Sequence, residues 1–331
     1  MRSLFHCSFI GLLLCVVAPI SHGAQDALLE LVATIPMPAV KGRIDHLALD
    51  EKRNRLYVAA LGNDTLEVLD VSANRLEKSI AGFGEPQDVL YVPDMNRLYV
   101  TSGSANRVDV LDGTSLALSR RFTGLEDADN LRYDVAARRA YIGYGKGALR
   151  VIDLATDKPA GDLRLSGHPE SFQLERAGTR IFVNVPTAKH VAVVDRARST
   201  IIAMWDTQGA ANNFPMALDE ASHRLFVGAR NPAVMLVYDT DTGKVVAKHP
   251  IGEDADDIFL DAARKRVYVI CGEGRVDVFR QASNGGYVPA GSIRTSTRAR
   301  TGLFVPEEGR LYVAAPAIDG SPARVLVYRI R

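Results

Sequence analysis

A short apolar motif recurs seven times along the chain and sets the pattern of hydrophobic positions. Each copy begins with arginine and continues with an aliphatic or small residue, an aromatic residue, and valine or isoleucine. The copies occupy residues 55–58, 97–100, 139–142, 180–183, 224–227, 266–269 and 310–313, so successive arginines are 42, 42, 41, 44, 42 and 44 residues apart. A fixed period of this length indicates an array of supersecondary units.

Each repeat contains four short segments with the composition of β-strands. An apolar stretch precedes the arginine motif, and a β-branched run such as 66–70 or 108–112 follows about ten residues later. A weaker fourth strand comes after a polar turn, as at 244–248. Such runs separated by turn residues are typical of strands, and no stretch of useful length has helical period. We therefore predict an all-β fold: one seven-bladed β-propeller with four antiparallel strands per blade.

The two ends of the chain complete this prediction. The last repeat stops at Arg331 after its third strand, whereas a spare apolar strand lies at about residues 31–35. Pairing the two would complete the last blade and close the ring, which removes exposed sheet edges. An open solenoid would instead need polar capping repeats.

The N-terminus has the features of a secretory signal peptide. Met1-Arg2 is followed by an apolar run over 9–20 and by small residues before a cleavage site after Gly23. The run is too short to span a bilayer. A lipoprotein site at Cys15 is an alternative, but the bulky residue before it and the apolar residues after it disfavour that interpretation. We expect a signal peptide over 1–23, a propeller over 24–331, a periplasmic or secreted location, and no integral membrane segment.

Charge and cysteine content exclude some partners. The chain has 40 basic and 39 acidic residues, and removal of 1–23 takes away Arg2 and leaves the numbers equal. Without a basic run there is no electrostatic footprint for nucleic acid, so we expect no nucleic-acid partner. Cys271 is the single cysteine after Gly23, and we expect a small buried residue rather than a reactive thiol. We expect a monomer.

Residues 98–112 resemble the YVTN-type propeller repeat, in which a Tyr-Val-Thr-Asn strand leads into a Val-x-Val-Ile-Asp strand. The similarity extends over all seven repeats, and the chain resembles the YncE-like exported bacterial propellers. Arg280 and Arg329 depart from it, since the other repeats have Asp after the third strand. WD40 blades fit worse, because Trp205-Asp206 is the one Trp-Asp pair and is misplaced. The resemblance implies ligand binders, DNA- or surface-associated proteins, or proteins of unknown role.

Polar residues stand directly ahead of each innermost strand, ten and nine positions before the repeat arginine. Twelve of these fourteen residues are polar or charged, and they differ from blade to blade. Because a structural position in a repeat tends toward sameness, the variation favours a ligand site at the axial mouth. Hydrogen bonding at strand starts, or a channel of ordered water, is the alternative. With their neighbours, the candidates are Arg43, Asp45, His46, Asp88, Asp129, Asn130, Arg132, His168, Glu170, Asn212, Asn213, Asp256, Asp257, Arg298 and Arg300.

Three kinds of chemistry fit these residue types. A hard-metal site for calcium, magnesium or zinc could use Asp129, Glu170, Asn213 and Asp257, with nitrogen from His46 or His168. Alternatively, a carboxylate or phosphate could be held bidentately by Arg43, Arg132, Arg298 and Arg300. His46 and His168 are candidate acid–base groups, although a histidine beside an acidic residue is often a hydrogen-bonded anchor.

These observations leave three functions open. We expect foremost a binding module that holds a small polar ligand, anionic or metal-linked, without turnover. A metal-dependent lactonase-like hydrolase or lyase acting on lactone or sugar-acid substrates is the second. The third is a scaffold that docks another exported protein.

Overall fold

Seven four-stranded antiparallel sheets form a closed β-propeller in the computed structural model, which describes residues 28–318 and 320–331. The predicted all-β fold, with seven blades of four strands, is confirmed. The expected signal peptide lies outside the described residues. Within them, no helix is long and apolar enough to cross a membrane.

The strands of each blade run from the innermost to the outermost position. Blade 1 consists of β2 Leu47–Asp50, β3 Arg55–Ala60, β4 Thr65–Asp70 and β5 Arg75–Ala81. Blade 2 consists of β6 Pro86–Val92, β7 Arg97–Ser102, β8 Arg107–Asp112 and β9 Leu118–Thr123. Blade 3 consists of β10 Leu131–Asp134, β11 Arg139–Tyr144, β12 Ala148–Asp153 and β13 Lys158–Arg164. Blade 4 consists of β14 Phe172–Leu174, β15 Arg180–Val185, β16 His190–Asp195 and β17 Thr200–Asp206. Blade 5 consists of β18 Ala211–Asp219, β19 Arg224–Asn231, β20 Ala233–Asp239 and β21 Val245–Pro250. Blade 6 consists of β22 Ala255–Asp261, β23 Arg266–Cys271, β24 Arg275–Gln281 and β25 Tyr287–Arg294. Short 3₁₀ turns lie at Leu61–Asn63, Pro93–Met95 and Pro186–Ala188.

The seventh blade joins the two ends of the chain. It contains β26 Thr301–Val305, β27 Arg310–Ala315 and β28 Arg324–Ile330, and its outermost strand is β1 Leu29–Pro36. β1 pairs antiparallel with β28, from Leu29 opposite Ile330 to Pro36 opposite Arg324. The predicted closure is confirmed, with a strand slightly longer than the expected 31–35.

The repeat motif recurs because its side chains pack between blades. The aromatic residue of each copy lies in the second strand and is 0–3% exposed, as at Tyr57, Phe226 and Tyr312. Since neighbouring side chains of a strand point to opposite faces, the flanking aliphatic residues fill the space on the other side. Arg97 at the start of the motif reaches the next blade, where its Nη1 lies 2.6 Å from Oδ1 of Asp157.

The aspartate that ends most third strands closes a turn. Oδ1 of Asp112 accepts hydrogen bonds from the backbone N–H of Thr114 at 3.1 Å and of Ser115 at 2.7 Å. The departure at Arg329 has a structural reason, because its guanidinium lies 3.0 Å from Oε2 of Glu30 in the closing strand. The closing strand thus supplies an acidic partner for the arginine that replaces aspartate here.

Candidate functional site

Residues from all seven blades converge on one cavity at the axial mouth. The cavity has a volume of about 330 Å³. We call it the mouth cavity, and it is lined by Arg43, Gln87, Asp127, Asp129, His168, Glu170, Phe214, Arg230, Asp256 and Arg300. A concave site with several convergent polar groups is the usual form of a small-ligand site.

The structure separates the two polar positions that precede each innermost strand. Six of the seven residues ten positions before the repeat arginine line the mouth cavity, and Asp45 lies just beneath it. The residues nine positions before it lie deeper, since neighbouring side chains in extended chain point in opposite directions. Asp88 and Asp257 at that position accept the backbone N–H of Leu131 at 2.7 Å and of Gly302 at 2.8 Å in the next blade. The deeper position therefore joins the innermost strands, whereas the upper one faces the cavity.

Beneath the mouth cavity lies a void of about 10 Å³, enough for one water-sized occupant. Its lining adds Asp45, His46, Asn130 and Ser171 to residues shared with the mouth. Below the void, the axial channel is a third cavity of about 310 Å³, and Asp88, Arg132 and Asp257 lie along it. We call these the void and the channel.

Three predicted site residues lie away from these cavities. Asn212 and Arg298 are exposed, and neither lines the mouth cavity, the void or the channel. Asn213 is fully buried, and its amide donates to Oδ1 of Asn184 at 2.9 Å and to the carbonyl of His190 at 3.2 Å. The metal set proposed from the sequence is thus brought together only in part, because Asn213 and Asp257 are held elsewhere.

Asp129, His168 and Glu170 form the one group of at least three potential metal ligands within the described residues. One ligand atom from each lies within 4.8 Å of the other two. Nδ1 of His168 is 2.7 Å from the carbonyl oxygen of Gly145, and Nε2 faces Oδ2 of Asp129 at 3.6 Å. Gly145 has φ +61°, a left-handed conformation that glycine adopts readily. The carbonyl fixes the ring so that Nε2 faces the carboxylate of Asp129.

The ionisation of this group reflects burial and crowding. Burial, and then repulsion from Asp129, raises the pKa of Glu170 to about 8. Burial alone would lower the pKa of His168, but the contacts with Asp129 and the Gly145 carbonyl outweigh it and raise the value to about 9. Burial also raises the pKa of Asp129. Burial is the largest cause of both raised carboxyl pKa values, and the neighbouring carboxylates add to it, while the His168 imidazolium opposes the shift.

The arginines of the mouth already have carboxylate partners. Arg43 donates to Asp45 at 2.6 Å, Arg230 lies 2.5 Å from Asp256, and Arg300 lies 2.8 Å from Asp254. A bidentate site for an anion needs free guanidinium edges, and here those edges are shared with acidic side chains. The arginine side of the mouth is therefore closer to neutral than the sequence alone indicates.

His46 lies between two buried carboxylates under the mouth. Its Nδ1 is 3.0 Å from Oδ1 of Asp45, and its Nε2 is 3.7 Å from Oδ1 of Asp257. Burial opposes protonation, but Asp257 and Asp45 outweigh it and raise the pKa of His46 well above its usual value. Burial raises the pKa of Asp257 to about 7, with the positive charge of His46 opposing the shift. This arrangement fits an anchored imidazolium better than a free general base.

Four residues that line the mouth cavity are absent from the predicted set: the polar Gln87 and Asp127, and two residues that the counting did not consider as candidates, Arg230 and Phe214. Arg230 lies six positions after a repeat arginine, where the other repeats have leucine, glycine or proline, and its guanidinium stacks 4.1 Å from the ring centroid of Phe214. Phe214 was set aside because it is apolar, although it occupies the position that faces the cavity. Comparing every position across the repeats, not only the polar ones, would have found both.

Comparison with known proteins supports the propeller fold but assigns the chain to no family. No protein-family model and no curated protein matches the chain. A chain in the crystal structure of the mitotic checkpoint complex superposes with a TM-score of 0.77 at 17% identity, covering 97% of this chain and 99% of that one. A chain of the hydrazine synthase of Kuenenia stuttgartiensis superposes with a TM-score of 0.75 at 16% identity, covering 90% and 97%. At these identities the likeness shows the fold alone, and the chain is a seven-bladed β-propeller.

Proposed function

We propose that this protein is an exported propeller of the YVTN-repeat type that binds a small polar ligand at its axial mouth. A divalent metal ion held by Asp129, His168 and Glu170 links the ligand to the protein. The orientation of His168 by the Gly145 carbonyl is the observation that carries the proposal. Export rests on the signal-like sequence of residues 1–23, and the family on the repeat resemblance.

The contact between His168 and Gly145 supports a metal ligand because it leaves Nε2 available. A backbone carbonyl accepts a hydrogen bond, so Nδ1 carries a proton at 2.7 Å from it. Metal-binding histidines are held by such contacts, which fix the tautomer and direct the other nitrogen at the ion. Here Nε2 faces Asp129, and Glu170 completes the group within 4.8 Å. Small side-chain movements would bring these atoms to coordination distance.

The void gives a second, independent reason. Oδ1 of Asp45 is in ion-pair contact with His46 but has no well-oriented hydrogen bond, and the residue is 1% exposed. Asp129 and Glu170 line the same void. A buried carboxylate oxygen without a hydrogen bond costs free energy, so the void favours a water or an ion as its occupant.

The donor set distinguishes among the three candidate metals. Calcium and magnesium prefer oxygen ligands alone, whereas one imidazole nitrogen beside two carboxylates suits zinc. Three coordinating side chains leave at least one coordination position of zinc open to the bound small molecule. A bound cation would favour the ionised forms of Glu170 and Asp129, whose pKa values are raised in its absence. A free anion would bind less well, because the arginines of the mouth already pair with carboxylates. We therefore favour zinc and a metal-linked ligand.

Calorimetric titration of the metal-free protein with Zn²⁺ tests the proposal. We expect one ion per chain and an affinity that rises between pH 6 and pH 8. Zn²⁺ must displace protons from His168, with a pKa of about 9, and from Glu170, with a pKa of about 8. The affinity should change roughly tenfold per pH unit for each proton released.

A matched pair of histidine variants controls this titration. His168→Ala should abolish stoichiometric binding, whereas His223→Ala, at an exposed histidine, should bind as the wild type does. Equal affinities for the two variants, or binding that does not change with pH, would overturn the proposal.

A further inference from the structure

The axial channel has a wall of its own, distinct from that of the mouth cavity. Each blade contributes at least one lining residue from its innermost strand or the residue ahead of it. Seven positions before each repeat arginine the side chains again differ, and they are Ala48, Leu90, Arg132, Gln173, Ala217, Phe259 and Leu303. All of these except Ala217 line the channel. The void, with room for one water-sized occupant, separates the channel from the mouth cavity.

One part of the channel wall is apolar. Leu49, Leu90, Phe259 and Leu303 are only partly buried although they belong to innermost strands, so their side chains retain accessible surface in the channel. Covering apolar surface is favourable by about 25 cal/mol per Å². A volume of about 310 Å³ is at the lower end of the range for small-molecule sites. The channel thus fits a compact apolar body.

The other part is polar and consists of two pairs of basic and acidic side chains, Arg132 with Asp88 and His46 with Asp257. Arg132 donates to Asp88 at 2.9 Å, and Nε2 of His46 faces Oδ1 of Asp257 at 3.7 Å. Each basic side chain thus already faces a carboxyl group, so a charged ligand would lose its hydration without a free counter-charge. Charge complementarity therefore favours a neutral ligand.

Hydrogen-bonding capacity remains at this polar group. Nε2 of His46 and Oδ1 of Asp257 are 3.7 Å apart, which is too far for a hydrogen bond. Both residues line the channel, together with Ser171. A donor and an acceptor thus stand side by side above an apolar wall.

We propose that the channel binds one small neutral molecule that has an aromatic or branched apolar body and one hydroxyl or amide end. The apolar body lies against Phe259 and Leu303, and the polar end meets His46 and Asp257. This site is distinct from the metal-linked mouth and does not depend on it.

Binding of 4-methylphenol to the whole propeller, followed by calorimetry and saturation-transfer NMR, tests the inference. Benzoate and benzylammonium have similar size and opposite charges. We expect 4-methylphenol to bind one to one and each ion to bind at least about tenfold more weakly, because neither finds a net counter-charge. Equal or tighter binding of either ion, or no binding of 4-methylphenol at millimolar concentration to folded protein, would overturn it.

Variants locate the site. Ala48→Leu should fill the channel and weaken 4-methylphenol binding at least about tenfold, since the apolar body loses its space. Leu49→Phe adds bulk from the next residue and serves if Ala48→Leu does not fold, as judged by circular dichroism. Ala81→Leu, on exposed β5, is the control and should bind normally. All three should bind Zn²⁺ as the wild type does, so failure of the channel and failure of the mouth are separable. Unchanged 4-methylphenol binding in a folded, filled variant would refute the channel site.

Discussion

Deletion of residues 24–36 is expected to destabilise the protein by roughly 5 kcal/mol, enough to unfold many domains. The deletion removes β1, whose Leu29 and Ile35 are 3% and 0% exposed, and each such side chain contributes about 2 kcal/mol by burial. It also leaves β28 as an unpaired edge, which invites aggregation. Thermal melting followed by circular dichroism measures the effect.

A circular permutant is the control for this deletion. The backbone N–H of Arg331 donates to the carbonyl of Leu28 at 3.1 Å, so a short glycine-rich turn can join these residues. A chain that starts at Gly42, runs to Arg331 and continues through the turn into residues 28–41 keeps β1 on the other end. We expect near-native melting for the permutant. A truncated protein that melts as the full chain does would contradict closure by β1.

Glu170→Gln is expected to weaken Zn²⁺ binding by at least about 100-fold while stabilising the metal-free protein at pH 8. Loss of an outer partner of a metal ligand already costs 10- to 100-fold, and this change removes a ligand itself. The stability gain follows because the buried carboxylate is crowded by Asp129, and the amide carries no charge. A pKa difference between 4.5 and about 8 corresponds to a gain of roughly 4 kcal/mol at pH 8.

The sign of the pH dependence follows from the pKa of Glu170. The pKa of Glu170 rises from 4.5 in the unfolded chain to about 8 in the folded protein. Between these two pH values the folded protein therefore binds more protons than the unfolded chain does. This contribution to stability is complete below about pH 4.5 and is lost as the pH rises toward 8. Glu170→Gln does not titrate, so its advantage in Tm should appear at pH 8 and vanish near pH 4.5.

Glu126→Gln, at an exposed glutamate, is the matched control and should change neither Zn²⁺ affinity nor Tm. A Glu170→Gln protein that binds Zn²⁺ normally, or that melts lower than the metal-free wild type at pH 8, would contradict the role assigned to Glu170.

The fold could be predicted from sequence because its determinants are local and repeated. The motif around Tyr57 or Tyr312 packs between blades in every repeat, so one pattern specifies all seven sheets. The last repeat has three strands in sequence, which is enough to predict that β1 supplies the fourth by pairing with β28. The sequence does not explain why position 329 is arginine where most repeats have aspartate. The structure does, because Arg329 contacts Glu30 in the closing strand.

The location of the site at the axial mouth could be predicted from the sequence, but the arrangement of its side chains could not. Counting back from the repeat arginine found Asp129 and Glu170, but it could not tell the position that faces the mouth from the deeper one occupied by Asp257. That distinction depends on the alternation of side chains, for which the register must be known. A turn at Gly145 can be read from the sequence, but the contact of its carbonyl with His168 depends on how two blades pack together.

The most direct test of the metal site is a crystal structure of the protein soaked with Zn²⁺, with anomalous data collected on both sides of the zinc absorption edge. We predict one strong anomalous peak at the axial mouth, within coordination distance of Nε2 of His168 and of carboxylate oxygens of Asp129 and Glu170. A mouth without an anomalous peak at saturating Zn²⁺, or a peak bound only by other residues, would contradict the proposal.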